Sequence, residues 1–100
     1  MANAEGVMYY DMGSCEPMAI DANPNPVDET VFFKAVLKYA GNLTLFITDV
    51  NGQEYFKTNF TNVTYVDYAI DVSRFQNGIF IIFAVTDKYY TYKKISKYNF

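Results

Sequence analysis

The 100-residue chain predicts an all-β domain, and three observations lead there. Ten Tyr and nine Phe, with abundant Val, Ile and Thr, favour extended strands over helices. Turn markers recur about every ten residues: Pro24 to Pro26, Gly41-Asn42, Asn51-Gly52, Asn59 to Asn62, Asn77-Gly78 and Asp87-Lys88. With 51% of the residues apolar, the chain can bury one core, and its length suits one domain.

Taken in order, residues 1–17 are small, acidic and without a clear period, and read as a linker. Strands follow at 18–22, 30–39, 43–50, 53–59, 64–72, 79–87 and 90–98, so residues 18–100 form the folded unit. About seven short antiparallel strands in this length fit an immunoglobulin-like β-sandwich. Before the second strand stands DANPNPVDETVFF, where Pro24 and Pro26 fix φ and bias Asn23 and Asn25 toward extended backbone. This element reads as a stiff, polyproline-like entry. The clearest hairpin is LTLFITDVNGQEYFKTNF, whose Asn51-Gly52 suits a type I′ turn. In it Leu43, Leu45 and Ile47 alternate with Thr44, Phe46 and Thr48, which gives one aliphatic face. The run IFIIFAV at 79–85 is apolar throughout, as in a central strand covered on both sides or one that offers apolar residues to a partner. Gly78 follows Asn77 at a turn where positive φ is expected.

Charge is uneven along the chain. Residues 1–30 carry Glu5, Asp11, Glu16, Asp21, Asp28 and Glu29 without a Lys or Arg. From residue 88 onward Lys88, Lys93, Lys94 and Lys97 stand without an acid. Four lysines do not make the broad basic face that nucleic acid requires, so no nucleic-acid partner is expected. They read as exposed charges on a terminal strand, where they discourage edge-to-edge association. No apolar run is long enough for a transmembrane helix. Cys15 is alone and cannot form an internal disulfide. The MGSC around it lacks the basic and apolar segments of a lipoprotein signal. No secretory leader stands at residue 1, so an exported parent would contain this chain as a piece or have lost its N-terminus.

Catalytic chemistry has little to draw on. The chain has no His, no Gly-rich phosphate loop, no GxSxG and no CxxC. Asp49, Asp67 and Asp71 lie beside turns or within strands, where Asx-type bonds or solvation account for them. Catalytic, cofactor-binding and metal-binding residues are accordingly expected to be none, and an enzyme is not expected. Asn42, Asn59 and Asn62 match the glycosylation acceptor pattern, which an Asn- and Thr-rich chain reaches by chance.

Five elements in order carry a resemblance. They are Pro24-Asn25-Pro26, Asp49-Val50-Asn51-Gly52, Asp71-Val72-Ser73, Gly78-Ile79-Phe80 and Lys93-Lys94-Ile95-Ser96-Lys97. From Asn23 to Lys97 the sequence resembles the type A C-terminal sorting domain of the type IX secretion system of Bacteroidetes. It departs from the pattern at Asn23, where the family often has Tyr, and at Tyr98-Asn99-Phe100, which follow the lysines. At Phe46 and Phe83 the family often has charge. The resemblance implies a non-catalytic signal domain at the end of a larger exported protein. Its partners would be the outer-membrane type IX export machinery and a sortase-like protease that removes it. Its location would be the periplasm in transit to the outer-membrane surface or the medium. Recognition candidates on the matching positions are Pro24, Asn25, Pro26, Asp49, Asn51, Gly52, Gly78, Lys93, Lys94 and Lys97. A stand-alone immunoglobulin-like adhesion or carbohydrate-associated surface module is the alternative.

Alternation leaves one further expectation. If Phe80, Ile82 and Ala84 face the core, then Ile79, Ile81, Phe83 and Val85 face outward, as Phe46 does on its own strand. Either Tyr-rich neighbours or Met8 to Tyr10 cover this face, or Phe46 and Phe83 form an interface to a second copy or to export machinery.

Overall fold

The computed structural model describes residues 17–98, and the linker before Pro17, with Met8 to Tyr10 and Cys15, lies outside the described residues. Among the described residues the domain is all-β, without a helix. Its strands are β1 (Met18–Asn23), β2 (Thr30–Asp49), β3 (Glu54–Asp71), β4 (Gly78–Val85) and β5 (Tyr90–Lys97). All neighbours are antiparallel, in the order β1-β2-β4-β5, with β3 on β2.

Five strands replace the seven expected, because two pairs of expected strands are continuous. β2 spans 20 residues and β3 spans 18, and both pass through the segments taken as turns at Gly41-Asn42 and Asn59 to Asn62. The register shifts there, between Val36 and Gly41 and between Gly41 and Leu43. Asn62 adopts a φ of 52°, a conformation Asn tolerates better than most residues, and its N–H donates to Asn42 Oδ1 at 2.9 Å. Turn-forming residues thus make a corner within the ladder, as bulges do. The first half of β2 pairs with β1, and its second half with β4.

The sheet consequently folds over on itself, in keeping with an immunoglobulin-like sandwich. Phe75, beyond the end of β3, lies 5.4 Å from the ring of Tyr55 near its start. The edge strands β1 and β5 meet through Lys93 Nζ and Asp21 Oδ1, 3.1 Å apart. Val31, Phe33, Leu43, Leu45, Ile47, Ile70, Ile82 and Ile95 fill the space between the layers, each at most 1% exposed. The alternation expected for both apolar stretches is found: Leu43, Leu45 and Ile47 are buried, as are Phe80, Ile82 and Ala84. Burying these side chains is worth roughly 1.5–3 kcal/mol for each of the larger aliphatic residues and Phe.

Candidate functional site

The fold brings all five sequence elements to one end of the molecule. β2 and β3 join through the Asp49–Gly52 turn, and Asp49 pairs with Phe80 near the start of β4. Gly78 pairs with Lys97 at the end of β5, and Val27 bridges to Lys97 in turn. Phe75, which follows Asp71–Ser73, lies 5.1 Å from the ring of Phe80. The Gly41 and Asn62 corner and the β4–β5 turn form the opposite end.

At the first element, residues 24–26 form bends, with Asn23–Pro24 and Asn25–Pro26 both cis, in place of the extended rod expected. Asn25 is the working residue. Its Oδ1 accepts the N–H of Ser96 at 2.8 Å and its Nδ2 donates to the carbonyl of Lys94 at 3.4 Å. Next to it, the N–H of Val27 donates to Ser96 O and the N–H of Tyr98 to Val27 O, both at 2.8 Å. A side-chain amide and one backbone residue thereby act as a short sixth strand along β5. They satisfy polar groups on an edge that would otherwise be open to another chain. Val27 is 1% exposed, so the bend also anchors itself in the core.

The turns are held by their own carboxylates. Asp49 Oδ1 accepts the N–H groups of Asn51 and Gln53 at 2.9 and 3.0 Å, and Gly52 N–H donates to Asp49 O at 3.1 Å. Gly52 has φ +88°, while Asn51 is not among the positive-φ residues. The connection is therefore a longer loop ending in a left-handed glycine, and not the expected type I′ pair. Asp71 Oδ1 accepts Ser73 N–H at 2.9 Å, and the hydrogen bonds from Ser73 hold its carboxyl below the usual carboxylate range. Gly78 has φ +146°, the positive value expected of it.

The lysines differ from expectation. Lys88, before the strand, is exposed, but of Lys93, Lys94 and Lys97 only Lys94 is. Lys93 is half-buried in its pair with Asp21. Burial pushes the Asp21 carboxyl up, but the hydrogen bond and charge of Lys93, aided by Asn23 and Ala22, bring it below its ordinary value. Lys97 is 1% exposed, and its Nζ has no hydrogen-bond partner among the described residues. The cause is the period of the strand: with Ile95 facing the core, a residue two positions on must face it as well. Sequence reasoning saw a basic cluster; strand alternation in YKKISK was the signal that could have divided it. A cleft of about 310 Å³ opens beside these groups, lined by Asn77, Gly78, Ile79, Ser96, Lys97 and Tyr98.

Phe46 and Phe83 lie apart from this end, on the outer face of the layer containing β4 and β5. Their rings stack at 4.9 Å with 15° between planes, and Tyr92 lies 5.9 Å from Phe83. Each covers part of the other, and both remain half-buried. No cluster of metal-ligating residues occurs among the described residues, and no helix there is long and apolar enough to cross a membrane.

The family model described as the secretion system C-terminal sorting domain matches residues 22–98, from the end of β1 to one residue past β5. Neither a curated protein nor a solved structure matches the chain.

Proposed function

Because the chain belongs to the type IX secretion C-terminal sorting domain family, we propose that it is a non-catalytic address that carries a larger cargo across the outer membrane. The observation that supports this reading is the gathering of the five sequence elements at one end of the sandwich. A signal must be readable on whatever cargo it follows, and a single pole offers one approach for a receptor. Most polar groups at that pole are spent internally: Asn25 on β5, Asp49 and Asp71 on their turns. Pro24, Pro26, Asn51, Gly52 and Lys94 remain exposed and form the surface that export machinery would touch.

Removal by a sortase-like protease after export completes the proposal. Met18 is buried and Lys38 N–H donates to Pro17 O, so the fold includes Pro17. Cleavage would fall before Pro17, outside the described strands. The test is a fusion of residues 17–100 behind a reporter that carries an inner-membrane export signal, in a type IX-competent cell. Surface or medium delivery of the reporter is the expected result. Retention of the folded fusion in the periplasm, while an established sorting domain is exported in parallel, would overturn the reading.

A further inference from the structure

The outer face of the β3-β2-β4-β5 layer has three registered rows running across it. The first is Asn59–Thr44–Val85–Tyr90, the second Lys57–Phe46–Phe83–Tyr92, and the third Glu54–Thr48–Ile81–Lys94. Ile79, Tyr90 and Tyr92 on this face are 44%, 65% and 55% exposed. Phe46, Ile81, Phe83 and Val85 are half-buried. Aromatic and aliphatic residues thus occupy the middle of the face and one edge, and charges sit at the two edge strands. Four strands about 4.8 Å apart and about eight residues long give a face of roughly 19 by 26 Å. Its projected area of about 500 Å² is somewhat over half of the ~800 Å² that each partner of a standard interface contributes, the range of weaker, concentration-dependent pairs.

We propose that this face pairs with the same face of a second copy, about a two-fold axis that runs along the strands between β2 and β4. Such an axis exchanges β2 with β4 and β3 with β5. Phe46 of one copy then lies over Phe83 of the other, and Phe83 over Phe46. Glu54 lies over Lys94, and Lys57 lies over the ring of Tyr92, where a cation is attracted to the aromatic face. Every contact occurs twice, as an isologous interface requires. An axis across the strands would instead put Lys57 over Lys57 and leave Glu54 and Lys94 without opposite charges. Like-charge contacts of that kind exclude a pairing mode. The order of charges across the rows therefore selects a second copy in one orientation, and the aromatic centre supplies the apolar contact.

The test measures the mass of the full chain in solution by sedimentation over a range of concentrations. Three variants accompany the wild type: Glu54→Lys, Lys94→Glu and the double exchange. Both positions are exposed, and circular dichroism confirms folding of each variant. A concentration-dependent dimer is expected of the wild type, weakened at least ~10-fold by either single change, a ΔΔG of about 1.4 kcal/mol. The double exchange restores it, because the opposite charges again face each other. A wild type that stays monomeric at every concentration overturns the proposal and leaves the face to another partner. Single changes without effect, or a double exchange that fails to restore the dimer, overturn it equally. Should a charge variant unfold, Tyr92→Ser, which alters an exposed ring of the same face, is expected to weaken the dimer, and an unchanged mass would again overturn the proposal.

Discussion

Two single residues at the pole work against stability or constrain it, and each gives a prediction. Lys97 holds an amine among core side chains with no partner among the described residues. Burying a polar group without a hydrogen bond costs roughly 1–3 kcal/mol, a cost that an apolar side chain of similar volume does not carry. Lys97→Met is therefore expected to raise the melting temperature, by about 4 °C or more for a domain of this size. A lower melting temperature would show that the amine is satisfied in the folded protein. Gly78 is constrained through its backbone alone: a Cβ there would meet nothing within 4 Å, but φ is +146°. Gly78→Ala and Gly78→Val should both cost about 1–3 kcal/mol in denaturant unfolding. A cost confined to Val would show that crowding, and not φ, makes the glycine necessary.

Between elements, the ties that close the sandwich are polar at its rim and apolar within. The pair Lys93–Asp21 joins the two edge strands, with side chains 37% and 50% exposed, so screening limits it to about 1 kcal/mol or less. Because the Asp21 carboxyl is depressed on folding, its contribution is present above the unfolded value of 3.8 and disappears as pH falls through the lower folded value. Asp21→Asn should lower the melting temperature slightly at neutral pH, and the gap from wild type should close in strong acid. A gap that persists unchanged in acid would assign the effect to packing. Other element-level features were legible to differing degrees in the sequence. Alternation placed Leu43, Leu45, Ile47 and the two faces of β4, since period-2 burial is a local property. Continuity through Gly41-Asn42 and Asn59 to Asn62 was not legible, since the same residue types make turns and strand corners. Nor was the bond from Asn25 to Ser96, which joins residues 71 positions apart and exists only once the sheet has folded over.

At the scale of the whole molecule, the pole and the aromatic face are separate surfaces with Lys94 common to both. Its backbone carbonyl receives Asn25 at the pole, while its side chain ends the outer row that begins at Glu54. This position allows one variant pair to separate recognition by the export machinery from self-association. Lys94→Glu removes the single exposed cation among the three lysines of the terminal motif, without touching the core. Reporter export by the fusion is expected to fall several-fold. Adding Glu54→Lys returns opposite charges to the paired faces but leaves the pole with an acid at position 94. If the machinery reads the pole directly, export stays low in the double variant although self-association returns. The measurement is the ratio of surface to periplasmic reporter, taken alongside the sedimentation of the same variants. Export that recovers together with the dimer would assign the signal to the assembled pair, and undiminished export in Lys94→Glu would remove the lysine from recognition altogether.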